Sequence, residues 1–377
     1  MERTLSSLKT YRVGVIGFGF MGKTHLYGYK TIPFYYGYLP IPIKLQAICT
    51  KTQASADTAV RDYGFEYGTT DLQAFFNNNE LDIIHICSPN KAHKEAIKEA
   101  IRRGIHIYCE KPMTVSSADA KEIVTALQGS KLISQVVFHN RFYTSTMRAK
   151  EILDIGILGR PLTFRVRYLL NMNLDKNSKV TWRNFEGGAL FDVGTHVIDL
   201  AYHLLGEFDS VVGKKWTLYE TRPDGLGGMV NITQDDAFMA MFHAKNGATG
   251  IIEANKITAG AINNFIVEIN CENGSLRINL EDPNWLEIFD NHDQNGAYGG
   301  NRGYKRIECM NRYPERVFPT ERHGQGWLSG HVHCLYTFLC AIRDNRPSHP
   351  SLEDAAYTQL IIDRIIQSSD ENRWVDI

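Results

Sequence analysis

The sequence predicts an α/β chain of two domains, a doubly wound parallel sheet over residues 1–139 followed by an α+β domain with a large, mostly antiparallel open sheet over residues 140–377. Three observations predict it. From Tyr11 to about Val137, short apolar runs alternate with helix-like segments, the pattern of successive β-α units in a parallel sheet. Beyond Leu162 the runs become rich in β-branched and aromatic residues, and several alternate polar with apolar, as strands with one wet face do. The length of 377 residues also exceeds what one hydrophobic core usually serves.

The first strand reads Val13-Gly14-Val15-Ile16, with further strands at Ile43 to Cys49, Ile83 to Cys87, Ile105 to Cys109 and Leu132 to Phe138, all apolar enough to be covered on both faces. Between them lies a helix from His93 to Arg103, stopped by Gly104. The aromatic, Pro-containing stretch 27–42 is longer than a βα connection needs and reads as a loop over the cofactor or at an interface. A linking helix from Thr144 to Ile155 ends at Gly156. Strands then fall at Leu162 to Leu170, Ser210 to Tyr219, Ala237 to His243, Ala248 to Lys256, Phe265 to Asn270 and Ser275 to Leu280, with Asn246-Gly247 and Asn273-Gly274 as hairpin signals. Segment Asp290 to Pro319 has no clear period and reads as a loop. Helices from Leu328 to Arg343 and Leu352 to Ser369 close the chain.

Composition excludes several classes of function. Lys plus Arg number 41 against 42 Asp plus Glu, with no basic block, so a nucleic-acid partner is not expected. Neither a signal-peptide core near Met1 to Thr10 nor an apolar run of about 20 residues occurs, so neither a membrane partner nor export is expected and the expected location is the cytoplasm. Seven scattered cysteines without a C-x-x-C pair fit a reducing compartment and neither a disulfide framework nor a thiolate zinc site.

Gly17-Phe18-Gly19-Phe20-Met21-Gly22 follows the first strand and opens a helix, the context in which G-x-G-x-x-G binds a dinucleotide pyrophosphate at the helix N-terminus. Where the second strand ends, an NAD enzyme usually carries an acid for the ribose hydroxyls; here Thr50-Lys51 stands instead. Thr50 donating to a 2′-phosphate and Lys51 neutralising it favour NADP(H), with NAD(H) possible if Lys51 is only a solvated charge.

Ser88-Pro89-Asn90 and Glu110-Lys111-Pro112 follow later strands, and Gly187-Gly188-Ala189-Leu190-Phe191-Asp192-Val193-Gly194-Thr195-His196 lies in the second half. With the glycine loop, and with Arg346-Pro347 and Trp374-Val375 near the end, these segments resemble the glucose-fructose oxidoreductase and inositol dehydrogenase family, Gfo/Idh/MocA, from about Val13 to the C-terminus. The resemblance implies a Rossmann domain, a C-terminal sheet that mates copies into a dimer or tetramer, and hydride exchange with a sugar, cyclitol or related polyol. It further implies a cis bond at Pro112, Lys111 acting on a substrate hydroxyl, and catalytic roles for Asp192 and His196 through the D-x-x-x-H match.

Read alone, the residues agree with such chemistry. Ligands of open parallel sheets collect beyond the carboxyl ends of the strands, where Ser88, Asn90, Glu110 and Lys111 fall. Lys111 can steady charge as a hydroxyl loses its proton, or it can pair with a carboxylate such as Glu110. Asp192, His196, Asp199 and His203 share one face of a helix starting near Ala189; an imidazole oriented by a carboxylate suits proton transfer in either direction. Asp199 and His203 read as structural, and a metal on this stripe is not expected, since metals are gathered from several elements. Asn140, Arg141, Trp182 and Arg183 are candidate substrate contacts, although an Arg can equally pair with a carboxylate and a Trp pack in the core. His323, His331 and His333 read as surface or interface histidines. Two other functions compete: a redox-neutral glycoside hydrolase using transient oxidation, and a non-catalytic dinucleotide-binding regulator.

Overall fold

Burial on both faces is what makes the first sheet parallel and central. Its strands are Tyr11–Ile16 (β1), Ile43–Cys49 (β2), Tyr67–Thr69 (β3), Ile83–Ile86 (β4), His106–Cys109 (β5) and Ser134–Val136 (β6). The structure, a computed structural model, describes residues 9–178, 180 and 187–377. The strands pair in parallel in the order β3-β2-β1-β4-β5-β6, so the strand order reverses beside β1 and opens a crevice at the carboxyl ends there. Helices Phe20–Tyr36 (α1), Gln53–Tyr63 (α2), Leu72–Asn77 (α3), His93–Arg103 (α4) and Ser117–Leu127 (α5) connect them. Phe75, Phe76, Ile84, Ile86, Ile97, Ile107 and Ile123 form the centre of one core layer, each stabilising the fold by roughly 1.5–3 kcal/mol through burial.

Residues 27–36 are not a loop. They continue α1 as helix, with Pro33 inside it, and only 37–42 connect to β2. Their aromatic content has a packing cause: Tyr36 stacks on Tyr336 of the Trp327–Asp344 helix with ring centroids 3.6 Å apart, and a Cβ on Gly28 would come within 2.9 Å of Leu335. By its contacts this C-terminal helix belongs to the first compact unit, which comprises residues up to His139, Tyr313–Thr320 and Trp327–Tyr357. Read from sequence, it falls after the domain boundary. His331 and His333 on it are buried rather than at the surface, whereas His323 is exposed.

The second unit comprises Asn140–Arg312, Glu321–Gly326 and Thr358–Ile377. Its strands are Pro161–Leu169 (β7), Phe208–Trp216 (β8), Thr221–Pro223 (β9), Met229–Asn231 (β10), Ala237–Ala244 (β11), Thr249–Asn255 (β12), Asn264–Cys271 (β13), Gly274–Asn279 (β14), Trp285–Asp290 (β15), Lys305–Glu308 (β16) and Val375–Asp376 (β17). Nine of them form one sheet in the order β16-β15-β14-β13-β7-β12-β11-β8-β17, antiparallel except between β7 and β12. Alternation sorts its two faces: Phe164, Val166, Phe238, Ala240, Phe242, Val267 and Ile269 point inward, while Met239, Met241, Ile251, Arg165, Arg167 and Glu253 stand outward. Strand β16 lies within the stretch expected to be loop. It reads Lys-Arg-Ile-Glu, and charges on an edge strand hide the period while blocking further pairing.

The cysteines are all free; six are buried and Cys87 is half-buried. Burial pushes the Cys49, Cys271 and Cys309 thiols up to about 11. Among the described residues no helix is long and apolar enough to cross a membrane.

Candidate active site

In the first unit the turn after β1 is shaped by its glycines. Gly17 has φ of 92°, and a Cβ there would meet the Cys87 carbonyl oxygen at 2.5 Å; a Cβ on Gly22 would meet the Gly17 carbonyl oxygen at 2.3 Å. Gly19 is different, because nothing lies within 4 Å of where its Cβ would stand. Two glycines are therefore required by the protein's own packing. The middle one leaves open space over the N-terminus of α1, whose cap position makes no side-chain hydrogen bond, and this fits a pyrophosphate approaching the backbone there. Phe18 is buried with its ring edge-on to Tyr63, and Phe20 stands 71% exposed. Met21 is half-buried.

At the end of β2, Thr50 is buried and its hydroxyl donates to the Thr52 carbonyl at 2.8 Å. A hydroxyl has one proton, so while it stays on the Thr52 carbonyl the Thr50 side chain offers lone pairs to a ligand. Lys51 is exposed.

Beyond β4 the Ser88 Oγ is buried without a hydrogen-bond partner among the described residues, an orphan polar atom beside the glycine loop, and the buried Asn90 opens a short 3-10 turn. Beyond β5, Glu110 is buried and both its oxygens are engaged: Oε2 accepts the Lys111 backbone N–H at 3.3 Å, and Oε1 lies 3.0 Å from His25 Nε2. The chain continues inward, with His25 Nδ1 3.0 Å from His85 Nδ1 and His85 Nε2 2.8 Å from the Tyr29 hydroxyl. With Glu110 as acceptor, one set of tautomers satisfies these three contacts: Tyr29 donates to His85, His85 to His25, and His25 to Glu110. Burial, and then His25, hold the His85 pKa well below the usual range, so that ring is neutral. The Lys111-Pro112 bond is cis.

In the second unit Gly188 has φ of 54° and would place a Cβ 2.5 Å from Asp235 Oδ1, a close approach that lets Asp235 Oδ2 accept the Leu190 N–H at 2.8 Å. The segment Leu190–Gly194 is a π-helical turn, and the α-helix Thr195–Leu205 follows directly. A Cβ on Gly194 would strike Phe238 at 2.7 Å, so this turn packs tightly on β11. Asp192 meets Lys256, from the end of β12, with Nζ to Oδ2 at 2.7 Å, and the same ammonium donates to the Gly188 carbonyl at 3.0 Å. The Lys256 side chain is 3% exposed and that of Asp192 20%, so this is a largely desolvated ion pair. One turn on, His196 is 8% exposed, with the Tyr168 ring centroid 6.3 Å from its own. Burial, and then the Asp192 charge, push the Tyr168 phenol up to about 12.

Arg141 uses its fork internally. Its Nε and Nη2 donate to the two Asp199 oxygens at 2.9 and 2.6 Å, and both side chains are buried, which is the carboxylate pairing set beside substrate contact in the sequence. Asn140 is buried in the 3-10 turn His139–Phe142. Trp182 and Arg183 lie outside the described residues.

Residues 11–138 match the oxidoreductase family with an NAD-binding Rossmann fold, and residues 150–377 match that family's C-terminal α/β domain. The chain belongs to the Gfo/Idh/MocA oxidoreductase family. Among Gfo/Idh/MocA relatives, levoglucosan dehydrogenase of Pseudarthrobacter phenanthrenivorans is 31% identical over 98% of this chain and 99% of its own. A levoglucosan dehydrogenase solved with NADH and L-sorbose superposes with a TM-score of 0.92 at 31% identity, covering 98% of this chain and 99% of that one. Myo-inositol 2-dehydrogenase of Thermotoga maritima is 22% identical over 97% of this chain and 98% of its own.

Sequence reading of this Gfo/Idh/MocA oxidoreductase missed Lys256 and the Tyr29-His85-His25 chain. A lone lysine at the end of a strand carries no signal of its own. His25, three residues past Gly22, was legible only as part of a helix.

Proposed function

We propose that this chain is an NAD(H)-linked dehydrogenase that moves a hydride to or from a hydroxyl-bearing carbon of a sugar, cyclitol or related polyol. The observation that carries the reading is the buried Lys256–Asp192 pair one turn before His196, in a chain that also holds a dinucleotide cradle. NAD(H), when bound, supplies or accepts the hydride. Gly17 to Gly22, Ser88 and Asn90 would hold it. Lys111 donates to the reacting hydroxyl and steadies the charge that grows as its proton leaves. His196 takes that proton, or returns it in the reverse direction. Asp192, kept an acceptor by Lys256, orients His196 or a substrate hydroxyl. Glu110 acts through the Lys111 backbone. Asn140, Trp182 and Arg183 remain candidate substrate contacts.

The cofactor reading moves from NADP(H) toward NAD(H). With the Thr50 proton committed to Thr52, only the exposed Lys51 favours a 2′-phosphate, and the Thr50 lone pairs suit a ribose hydroxyl. Levoglucosan dehydrogenase, solved in complexes with NADH, supports the same choice. The outward sheet face, with Met239, Met241 and Ile251 each at least 40% exposed, is proposed to mate with a second copy of the chain, which light scattering tests.

The deciding experiment is titration of the purified chain with NADH and NADPH, followed by turnover on levoglucosan, L-sorbose and myo-inositol. NADH binding with turnover, lost in His196→Ala while NADH affinity stays, supports the reading. Binding of neither dinucleotide sinks it. Cleavage of a glycoside without net NADH change replaces it with the redox-neutral hydrolase, and dinucleotide binding with no turnover of any kind points to a regulator.

A further inference from the structure

His331, on the Trp327–Asp344 helix of the first unit, is 5% exposed, and neither of its ring nitrogens has a hydrogen-bond partner among the described residues. Burial, followed by His139, His25 and Lys111, holds its pKa well below the imidazole range, so the ring is neutral and carries one N–H and one lone pair. Buried polar groups are almost always paired, and one with both a donor and an acceptor unused calls for a partner outside the chain. Its ring contacts lead to the glycine loop: His139 stacks on it with centroids 4.0 Å apart, Trp327 meets it edge-on at 4.4 Å, and Trp327 itself stacks on Phe20 of that loop at 5.3 Å. His331 is also close enough to Lys111 for that charge to act on its ring.

We propose that His331 is a specificity residue that binds a second hydroxyl of the polyol, distinct from the reacting one, with Trp327 and His139 as its aromatic walls. The inference rests on the dehydrogenase reading, in which Lys111 takes the reacting hydroxyl. A hydroxyl fits the site because it both donates and accepts, as a neutral imidazole does in return. An anion would leave the imidazole lone pair unmet. The nicotinamide carboxamide has the same donor-and-acceptor chemistry, so the test separates the two.

The experiment measures binding of the tightest polyol of the panel, and of its monodeoxy analogues, to the NADH complex of the wild type, His331→Phe and His331→Gln by calorimetry. Turnover is followed in parallel. Phe keeps a ring and removes both nitrogens; Gln keeps a donor and an acceptor. The expected result is about tenfold weaker polyol binding in His331→Phe, the loss of about one buried hydrogen bond, with NADH affinity unchanged and partial rescue in Gln. One deoxy analogue should bind the wild type and His331→Phe equally, marking the hydroxyl that His331 reads. If His331→Phe fails to fold, Gln carries the test through altered discrimination at that same deoxy position. Unchanged polyol affinity and unchanged deoxy discrimination in the folded variants overturn the proposal. Weakened NADH binding with intact polyol discrimination also overturns it, giving the contact to the carboxamide. Polyol binding without turnover removes the dehydrogenase reading alone, since His331 is still judged by affinity; no polyol binding to the wild-type complex removes both.

Discussion

The turn after β1 and the turn before His196 are built from opposite materials. The first is backbone: two glycines demanded by carbonyl contacts at 2.5 and 2.3 Å, and a third with open space above it. The second is charge taken out of water, Lys256 on Asp192 within the unit that also buries Arg141 on Asp199. A backbone cradle can lose affinity without losing stability. Buried ion pairs cannot be altered on one side without leaving the other partner in low dielectric.

The sharpest way to break this comparison is at its two ends. His196→Ala should lower kcat by about 10²- to 10⁴-fold with NADH affinity intact, the range for a general acid/base. Gly19→Ala should do the reverse, weakening NADH binding while the melting temperature holds, because its Cβ meets no protein atom within 4 Å. A Gly19→Ala protein that loses stability instead would show that the space above the loop is needed by the fold.

Next in size is Arg141→Met. It leaves Asp199, 1% exposed, without its guanidinium, so urea unfolding should show a loss of about 3–5 kcal/mol, with part recovered in Arg141→Met/Asp199→Asn. A raised substrate KM at unchanged stability would return Arg141 to the substrate contacts. Lys256→Met should follow, with kcat down by roughly 10- to 100-fold through misplacement of Asp192, on the scale of other orienting partners. Adding Asp192→Asn should restore melting temperature but not turnover. Recovery of both would make the pair purely structural.

The smallest effect concerns pH. Burial lowers the His333 pKa to about 3, against 6.5 in the open chain. The unfolded state therefore binds the extra proton between these values, and the stability His333 contributes, full above about pH 6.5, is lost as pH falls toward about 3. At pH 5 this amounts to roughly 2 kcal/mol, at about 1.36 kcal/mol per pH unit. Denaturant unfolding of wild type and His333→Gln at pH 7 and pH 5 measures it: the variant should lose less on acidification.

What was legible in the sequence follows the same division. The glycine loop, Ser88-Pro89-Asn90 and Glu110-Lys111-Pro112 are contiguous, and each sits at a strand end that apolar runs already mark. Strand β2 falls at the bounds read from its apolar run, whereas β3, three residues with a single buried one, carried no period to detect. The Asp192 to His196 spacing was readable, yet the π-helical turn beneath it was not, because it packs through Gly194 close to Phe238, far along the chain. Lys256 escaped for the same reason: its partner lies 64 positions earlier, the difference between 256 and 192. The aromatic stretch 27–42 misled, since most of it is helix and Tyr36 finds its partner at Tyr336 within the same unit rather than at a cofactor or an interface.

The thiols carry a practical consequence. Because six of the seven cysteines are buried and the other half-buried, a maleimide dye should find few targets in the native molecule and many once it opens. The chain thus comes with an internal stopwatch: the labelling rate counts opening events site by site. Mass spectrometry of tagged Cys87 and Cys109 against tagged Cys271 and Cys309 would then time the loosening of each unit separately, with no probe engineered into either.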